Sequence, residues 1–189
     1  MENSQNVFEQ AIEYAIKVHH GMTRKYNKVP FIIHPLEAAS IVATMTNDLE
    51  VLAATVLHDA VEDTCATIDE IESLFGKKVA NLVCLSSENK RRNLPANDTW
   101  VIRKQETLDF LNKTDNIEIK MVCLADKVAN LRSCYQMYLD LGENMWKVFN
   151  QHDPKMHKWY HDNVALSLQE LKNTVAYQEY VMLINKIFN

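Results

Sequence analysis

Near the end of the first third of the chain, the run His58-Asp59-Ala60-Val61-Glu62-Asp63 gathers one imidazole and three carboxylates. On a helix His58 and Glu62 are four apart, Asp59 and Glu62 three apart, and Asp59 and Asp63 four apart, so all four crowd one flank. The preceding residues, Val51-Leu52-Ala53-Ala54-Thr55-Val56-Leu57, are apolar on all sides, which predicts a central, buried helix ending in this acidic group. Three carboxylates with no cation in the same turn repel one another, and burying them unpaired costs several kcal/mol each. A divalent cation removes that penalty, and histidine with aspartate forms a suitable mixed nitrogen and oxygen ligand pair. His58-Asp59 alone reads equally well as a solvated helix end. The full acidic set on an apolar helix favours the metal.

Two further polar residues stand where a core prefers apolar ones. His34 closes Phe31-Ile32-Ile33-His34-Pro35, and Asp126 interrupts the apolar run from Met121 to Ala125. Taken singly, His34 is a hydrogen-bonded core histidine and Asp126 a partner for Lys127 or Arg132. Taken together, they supply third and fourth ligands beside His58 and Asp59. Asn130 and Ser133, four and seven residues after Asp126, share its helical face and look into the same pocket.

The elements that must position these residues are helical. Phe8, Ala11, Ile12, Ala15 and Ile16 recur at helical spacing, and that helix ends near His19-His20-Gly21. The stretch from Met22 to Ile33 is expected to be polar and then extended before Pro35, which opens a second helix. Asn47-Asp48 caps a third helix running from about Leu49 to Asp63. Thr67 and Glu70 form a capping box, and Gly76 stops the helix they start. A short helix over Val79 to Leu85 follows. The polar segment from Ser86 to Asp98, with Lys90-Arg91-Arg92, reads as a surface loop. Helices resume near Trp100, from about Asn116 to Tyr138, and at least twice more before Asn189.

Composition narrows the function classes. The 189 residues, 47% hydrophobic and 24% charged, suit one all-α globular domain. A net charge of −5 argues against a nucleic-acid binder held by bulk charge. Three glycines cannot build a glycine-rich phosphate loop. The four cysteines (Cys65, Cys84, Cys123, Cys134) lack metal-knuckle spacing and are expected to be buried free thiols in a reducing compartment. The opening MENSQNVFEQ has no secretory pattern, and no apolar run is long enough for a membrane span, so a cytoplasmic location is expected. His152, His157 and His161 are expected to be scattered surface histidines rather than a second metal site. Trp159 and Tyr160 are assigned to the core in preference to a nucleotide pocket.

Four ordered segments carry a family resemblance: Thr23-Arg24-Lys25, Val29 to Pro35, Leu57 to Thr64, and Leu124 to Arg132, continued by Thr67 to Ile71 and Phe75-Gly76. They resemble, in order and spacing, the hydrolase domain of the RelA/SpoT family, and the chain's length is similar to that of the small alarmone hydrolases. The match is close from Phe8 to Ser133 and looser beyond. The resemblance implies a single HD-type helical domain over residues 1–189 holding one Mn²⁺. It implies removal of the 3′-pyrophosphate from guanosine 3′-diphosphate 5′-di- or triphosphate. The family's metal ligands fall on His34, His58, Asp59 and Asp126, and its catalytic acidic pair on Glu62 and Asp63. Its substrate contacts fall on Arg24, Lys25, Asn130 and Ser133. Glu62 with Asp63 would orient the attacking water and manage its proton, while Arg24 and Lys25 offset phosphate charge. The loop Lys90-Arg91-Arg92, with Arg103 and Lys104, either guides an anionic substrate or is a solvated charge run. Met22 and Tyr26 depart from the family pattern, Tyr26 standing where a small polar residue helps read guanine. An adenosine alarmone, another 3′-phosphorylated nucleotide or NADPH therefore stays open as substrate, as does an alarmone-binding module without catalysis. The oligomeric state is left open.

Overall fold

Apolar stripes at helical spacing, closed by side-chain caps, give ten α-helices in the computed structural model, which describes residues 6–188. The first five residues, part of the stretch read as lacking a secretory pattern, lie outside the described residues. The order is α1 (Val7–Val18), α2 (Ile33–Val42), α3 (Leu49–Leu57), α4 (Ala60–Asp63), α5 (Ile68–Phe75), α6 (Lys77–Ser86), α7 (Ala96–Lys113), α8 (Ile117–Leu141), α9 (Pro154–Ser167) and α10 (Val175–Phe188). Short 3-10 turns cover Gly142–Val148 and Gln169–Leu171. Among the described residues there is no strand, only an isolated antiparallel bridge between Thr23 and Pro30. The all-α expectation is met. No helix of the described residues is long and apolar enough to cross a membrane.

The caps explain where helices start. Asn6 accepts the Phe8 and Glu9 amides while Glu9 returns a carboxylate oxygen to the Asn6 amide, satisfying donors that the first turn leaves free. Asp48 accepts the Glu50 and Val51 amides at the start of α3, and Asn116 those of Glu118 and Ile119 at the start of α8. Lys78 ties the two starts together, with Nζ 2.6 Å from Asp48 and 2.8 Å from Glu118. Gly76 separates α5 from α6 at φ +88°, a left-handed conformation that glycine adopts without strain.

Helix α8, 25 residues long, is the spine, packing against α2, α3, α6 and α10. Its inward residues Ala125, Val128 and Ala129 are small and fully buried, which lets α2 and α3 approach closely. Helix α3 is buried along all of Val51–Leu57, as its apolar sequence requires. The junction of α2, α3 and α8 is therefore where His34, His58 and Asp126 meet.

Four local expectations are corrected. The third helix does not run to Asp63: it stops at Leu57, His58 and Asp59 form a bend, and α4 follows. The Thr55 carbonyl explains the bend, because it accepts the His58 amide at 3.4 Å and pairs with His58 Nδ1 at 2.7 Å. Helix α2 begins at Ile33, placing His34 in a helical turn despite the following proline. Pro35 is tolerated there because a first-turn N–H has no intrahelical acceptor. Cys65 and Cys84 are exposed, since Cys65 lies in the turn before α5 and Cys84 on the outer side of α6; all four cysteines are free. His157 and His161 are buried within the fold, not on its surface. His157 Nε2 meets the Gln151 carbonyl at 2.9 Å and His161 Nδ1 the Tyr180 hydroxyl at 2.8 Å, so α9 spends these polar atoms internally.

These buried histidines give a pH prediction. Burial, helped by Lys127, holds His161 well below its ordinary value of 6.5, so the folded protein keeps it neutral. The unfolded chain takes up that proton below about pH 6.5, so the contribution is present above this pH and is lost as pH falls. At pH 5.5 the loss is roughly 1.4 kcal/mol. Thermal melts of wild type and His161→Gln between pH 7.5 and 5.5 should show a visibly flatter decline in the variant. Parallel declines would contradict the assignment.

Candidate active site

His34 from α2, His58 from the bend after α3, its neighbour Asp59, and Asp126 from α8 point at a common centre. His34 Nε2 lies 3.4 Å from Asp59 Oδ2 and 3.2 Å from Asp126 Oδ1. His58 Nε2 lies 3.3 Å and 3.5 Å from the same two oxygens. Ligand atoms about 2.1 Å from one ion stand roughly 3.0–3.4 Å apart for cis-octahedral or tetrahedral geometry, so these spacings suit a single cation. The tightest set is His34, His58 and Asp126, whose ligand atoms all lie within 4.8 Å of one another. Asp59 joins through its contacts to both imidazoles.

The donor chemistry fits as well. With Nδ1 donating to the Thr55 carbonyl, neutral His58 turns its Nε2 lone pair toward two carboxylates, and that buried nitrogen has no hydrogen-bond partner among the described residues. Such an arrangement needs a positive charge at its centre. Without a metal a proton fills the role: burial opposes the imidazolium, but Asp59 and Asp126 outweigh it and hold His58 well above its ordinary value. Both aspartates are correspondingly held low, Asp59 by His58 and Asp126 by Lys127 and the histidines, against the effect of burial.

The acidic pair stands beside this cage. Glu62 is largely buried, which pushes its carboxyl up, with Lys90 opposing. Its Oε2 accepts the Glu88 amide at 2.9 Å and its Oε1 lies 3.1 Å from Lys90 Nζ, which also bonds Asp63. Arg92 donates to the Glu62 carbonyl at 2.6 Å, while Arg91 pairs with Glu106. The Lys90-Arg92 segment is thus fastened over the acidic pair and α7, unlike a free charge run.

On the opposite side Asn130 Nδ2 donates to Asp126 Oδ1 at 2.6 Å, and its Oδ1 accepts from Arg24 at 3.1 Å. Arg24 also sits 5.8 Å over the Phe31 ring. These two expected substrate contacts are linked directly to the cage. Lys25 is exposed on the adjoining turn, and Ser133 is half-buried on α8 one turn beyond Asn130. Arg132 does not pair with Asp126. It binds Glu179 at 2.6 Å and Glu37 at 3.1 Å, leaving Lys127 as the cation on Asp126 Oδ2 at 2.6 Å. Tyr26 donates to Asp140 at 2.7 Å.

A family model described as HD domain matches residues 11–149. The chain belongs to the HD-domain family. Among curated relatives, the bifunctional (p)ppGpp synthase/hydrolase SpoT of Escherichia coli K12 is 30% identical over 184 residues, covering 94% of this chain and 25% of that protein. A GTP pyrophosphokinase of Myxococcus xanthus is 32% identical over 136 residues, covering 70% of this chain and 18% of its own length. The chain thus spans a quarter or less of these two relatives. Two solved structures share the fold. One, described as a metazoan ortholog of SpoT that hydrolyses ppGpp, is 22% identical with a TM-score of 0.76 over 98% of both chains. The other, from Listeria monocytogenes EGD-e, is 31% identical with a TM-score of 0.71, covering 85% of this chain and 98% of that one. The resemblance to the RelA/SpoT hydrolase domain is therefore sound.

Sequence reasoning missed two features of this HD domain. Half-buried Glu88 gathers Arg103 and Lys104 next to the cage, although Glu88 itself carries no motif signal. Buried His19 packs at a tilt against Phe31, with ring centroids 4.9 Å apart. Its only sequence cue was its place at the end of an amphipathic helix.

Proposed function

We propose that residues 1–189 act as one HD-type unit that hydrolyses the 3′-diphosphate of guanosine 3′-diphosphate 5′-di- or triphosphate, giving GDP or GTP and pyrophosphate with Mn²⁺ bound. The observation that carries this reading is the four-donor cage with a half-buried carboxylate pair at its edge. The printed activities of the SpoT relatives support the choice of substrate. His34, His58, Asp59 and Asp126 would hold the ion, which supplies Lewis acidity and an acidified water. Glu62, kept partly desolvated, takes a proton from the attacking water, while Asp63 and Lys90 fix its orientation. Arg24 and Asn130 receive the nucleoside side of the substrate, Arg24 offering a planar cation for phosphate or base, with Lys25 and Ser133 at the rim of that side.

A second reading has its own observation. The Tyr26 hydroxyl is engaged by Asp140, so the turn beside Arg24 presents an aromatic ring where base contacts would form. This favours a wider purine specificity, including an adenosine alarmone or NADPH.

A substrate panel tests both. Guanosine tetraphosphate, its adenosine counterpart, NADPH and a guanosine nucleotide lacking the 3′-phosphate are incubated with and without Mn²⁺, and products are identified by chromatography. Pyrophosphate release from the guanosine compound, dependent on metal, is expected. Equal turnover of the nucleotide lacking the 3′-phosphate would defeat the reading, and tight binding without turnover for any metal would make the protein a sensor.

A further inference from the structure

The end of α1 brings one more imidazole toward the cage. Helix α1 packs on α3 and ends at Val18. The His19 amide closes its last turn on the Ala15 carbonyl at 3.0 Å. Gly21, at φ +78°, then turns the chain, and the Phe31 amide meets the Met22 carbonyl at 2.9 Å. His19 is thereby set against the Phe31 ring, with centroids 4.9 Å apart, and Phe31 in turn lies 5.9 Å from the His34 ring. His19 is only 2% exposed. Neither of its ring nitrogens has a hydrogen-bond partner among the described residues, and the same holds for His34 Nδ1.

Three buried imidazole nitrogens without partners around one phenyl ring call for a reason, because an apolar ring would pack as well without the cost of an unmade hydrogen bond. The ionisable groups that act most strongly on His19 are Asp59 and Asp63, followed by His58 and His34, so its imidazole faces the cage. Burial keeps it below its ordinary value of 6.5 against the pull of the two carboxylates, and a neutral imidazole offers one donor and one acceptor.

The rest of the cage shows what such atoms are used for. The Thr55 carbonyl fixes the outer nitrogen of His58, while Lys127 and Asn130 fix the Asp126 carboxylate. Metal-binding histidines and carboxylates are ordinarily held from behind in this way, which sets their tautomer and aim. His34 Nδ1 has no such support among the described residues. On the metal cage of the hydrolase reading above, we infer that His19 is a positioning residue, holding ordered water that supports His34 Nδ1 and the Asp59 carboxylate from behind. Buried water needs two to four polar partners, and His19, His34 and Asp59 supply them. The support keeps His34 Nε2 and Asp59 Oδ2, 3.4 Å apart, aimed at one centre. His19 itself touches neither ion nor substrate.

Calorimetric titration of Mn²⁺ into the full chain tests this, with the visible absorption of bound Co²⁺ as a second readout of ligand geometry. His19→Phe keeps an aromatic ring but has no nitrogen, and it should weaken Mn²⁺ binding about tenfold or more and alter the Co²⁺ bands. His19→Gln, which restores a donor and an acceptor, should return both readouts close to wild type. A merely structural role would move the melting temperature and leave the metal readouts alone, so wild-type affinity and bands in His19→Phe would overturn the inference. If circular dichroism shows that His19→Phe does not fold, nitrogen-15 NMR of histidine-labelled wild type decides. The His19 ring, assigned by its loss in His19→Gln, should hold one neutral tautomer whose N–H signal shifts when Zn²⁺ fills the cage. A His19 signal indifferent to Zn²⁺ would overturn the inference equally. Failure of the wild type to bind any of these ions would instead defeat the cage, and the hydrolase reading with it.

Discussion

His58→Ala and Glu62→Gln should both abolish pyrophosphate release, but for separable reasons. His58 is the buried nitrogen whose lone pair faces Asp59 and Asp126. Removing it leaves a three-donor site with two carboxylates less compensated, so both metal content and turnover should fall together. Glu62→Gln keeps the shape of the side chain and its acceptor for the Glu88 amide, but cannot take a proton. Metal content should stay near one ion per chain while kcat drops by about 10²–10⁴, the usual contribution of a positioned acid or base. Elemental analysis alongside steady-state kinetics separates the two variants. Full activity in Glu62→Gln would remove Glu62 from the water-handling role. Undiminished metal binding in His58→Ala would break the cage assignment.

Much of this was readable from residue types because a polar group on an otherwise apolar element is costly and therefore informative. His34, His58 and Asp126 each interrupt apolar runs, and the structure brings them to one junction of α2, α3 and α8. Periodicity likewise placed most helices, and Asp48, Asn116 and Gly76 marked their ends. The bend at His58-Asp59 was not readable, because it depends on the Thr55 carbonyl taking two partners from His58. Nor was the Glu88 network. Its members are spread over residues 88 to 127 and look like ordinary surface charges until α7 and α8 enclose them. The Lys90-Arg92 segment illustrates the same limit. Its charge was plain, yet its attachment to Glu62 and Asp63 is a property of the fold.

The second large effect expected is thermal. A cage that needs a central positive charge couples metal binding to folding, since an ion held by the native state and not by the unfolded chain stabilises by mass action. At a free metal concentration about a thousand times the Kd this amounts to roughly 4 kcal/mol. For a chain of this length each kcal/mol moves the melting temperature by about 2–4 °C, so chelation should lower Tm by roughly 8–16 °C. The junction of α2, α3 and α8 is the structural reason that the effect should be global, because the ligands come from α2, from the bend that closes α3 and from α8, and these three helices make up much of the core. Differential scanning calorimetry of Mn²⁺-loaded and chelated protein provides the measurement, with Asp126→Ala as control. That variant should melt at the same temperature with or without added metal. An equal Mn²⁺-dependent rise in wild type and Asp126→Ala would mean that the ion binds elsewhere on the surface, and the buried histidines and aspartates would then need another explanation.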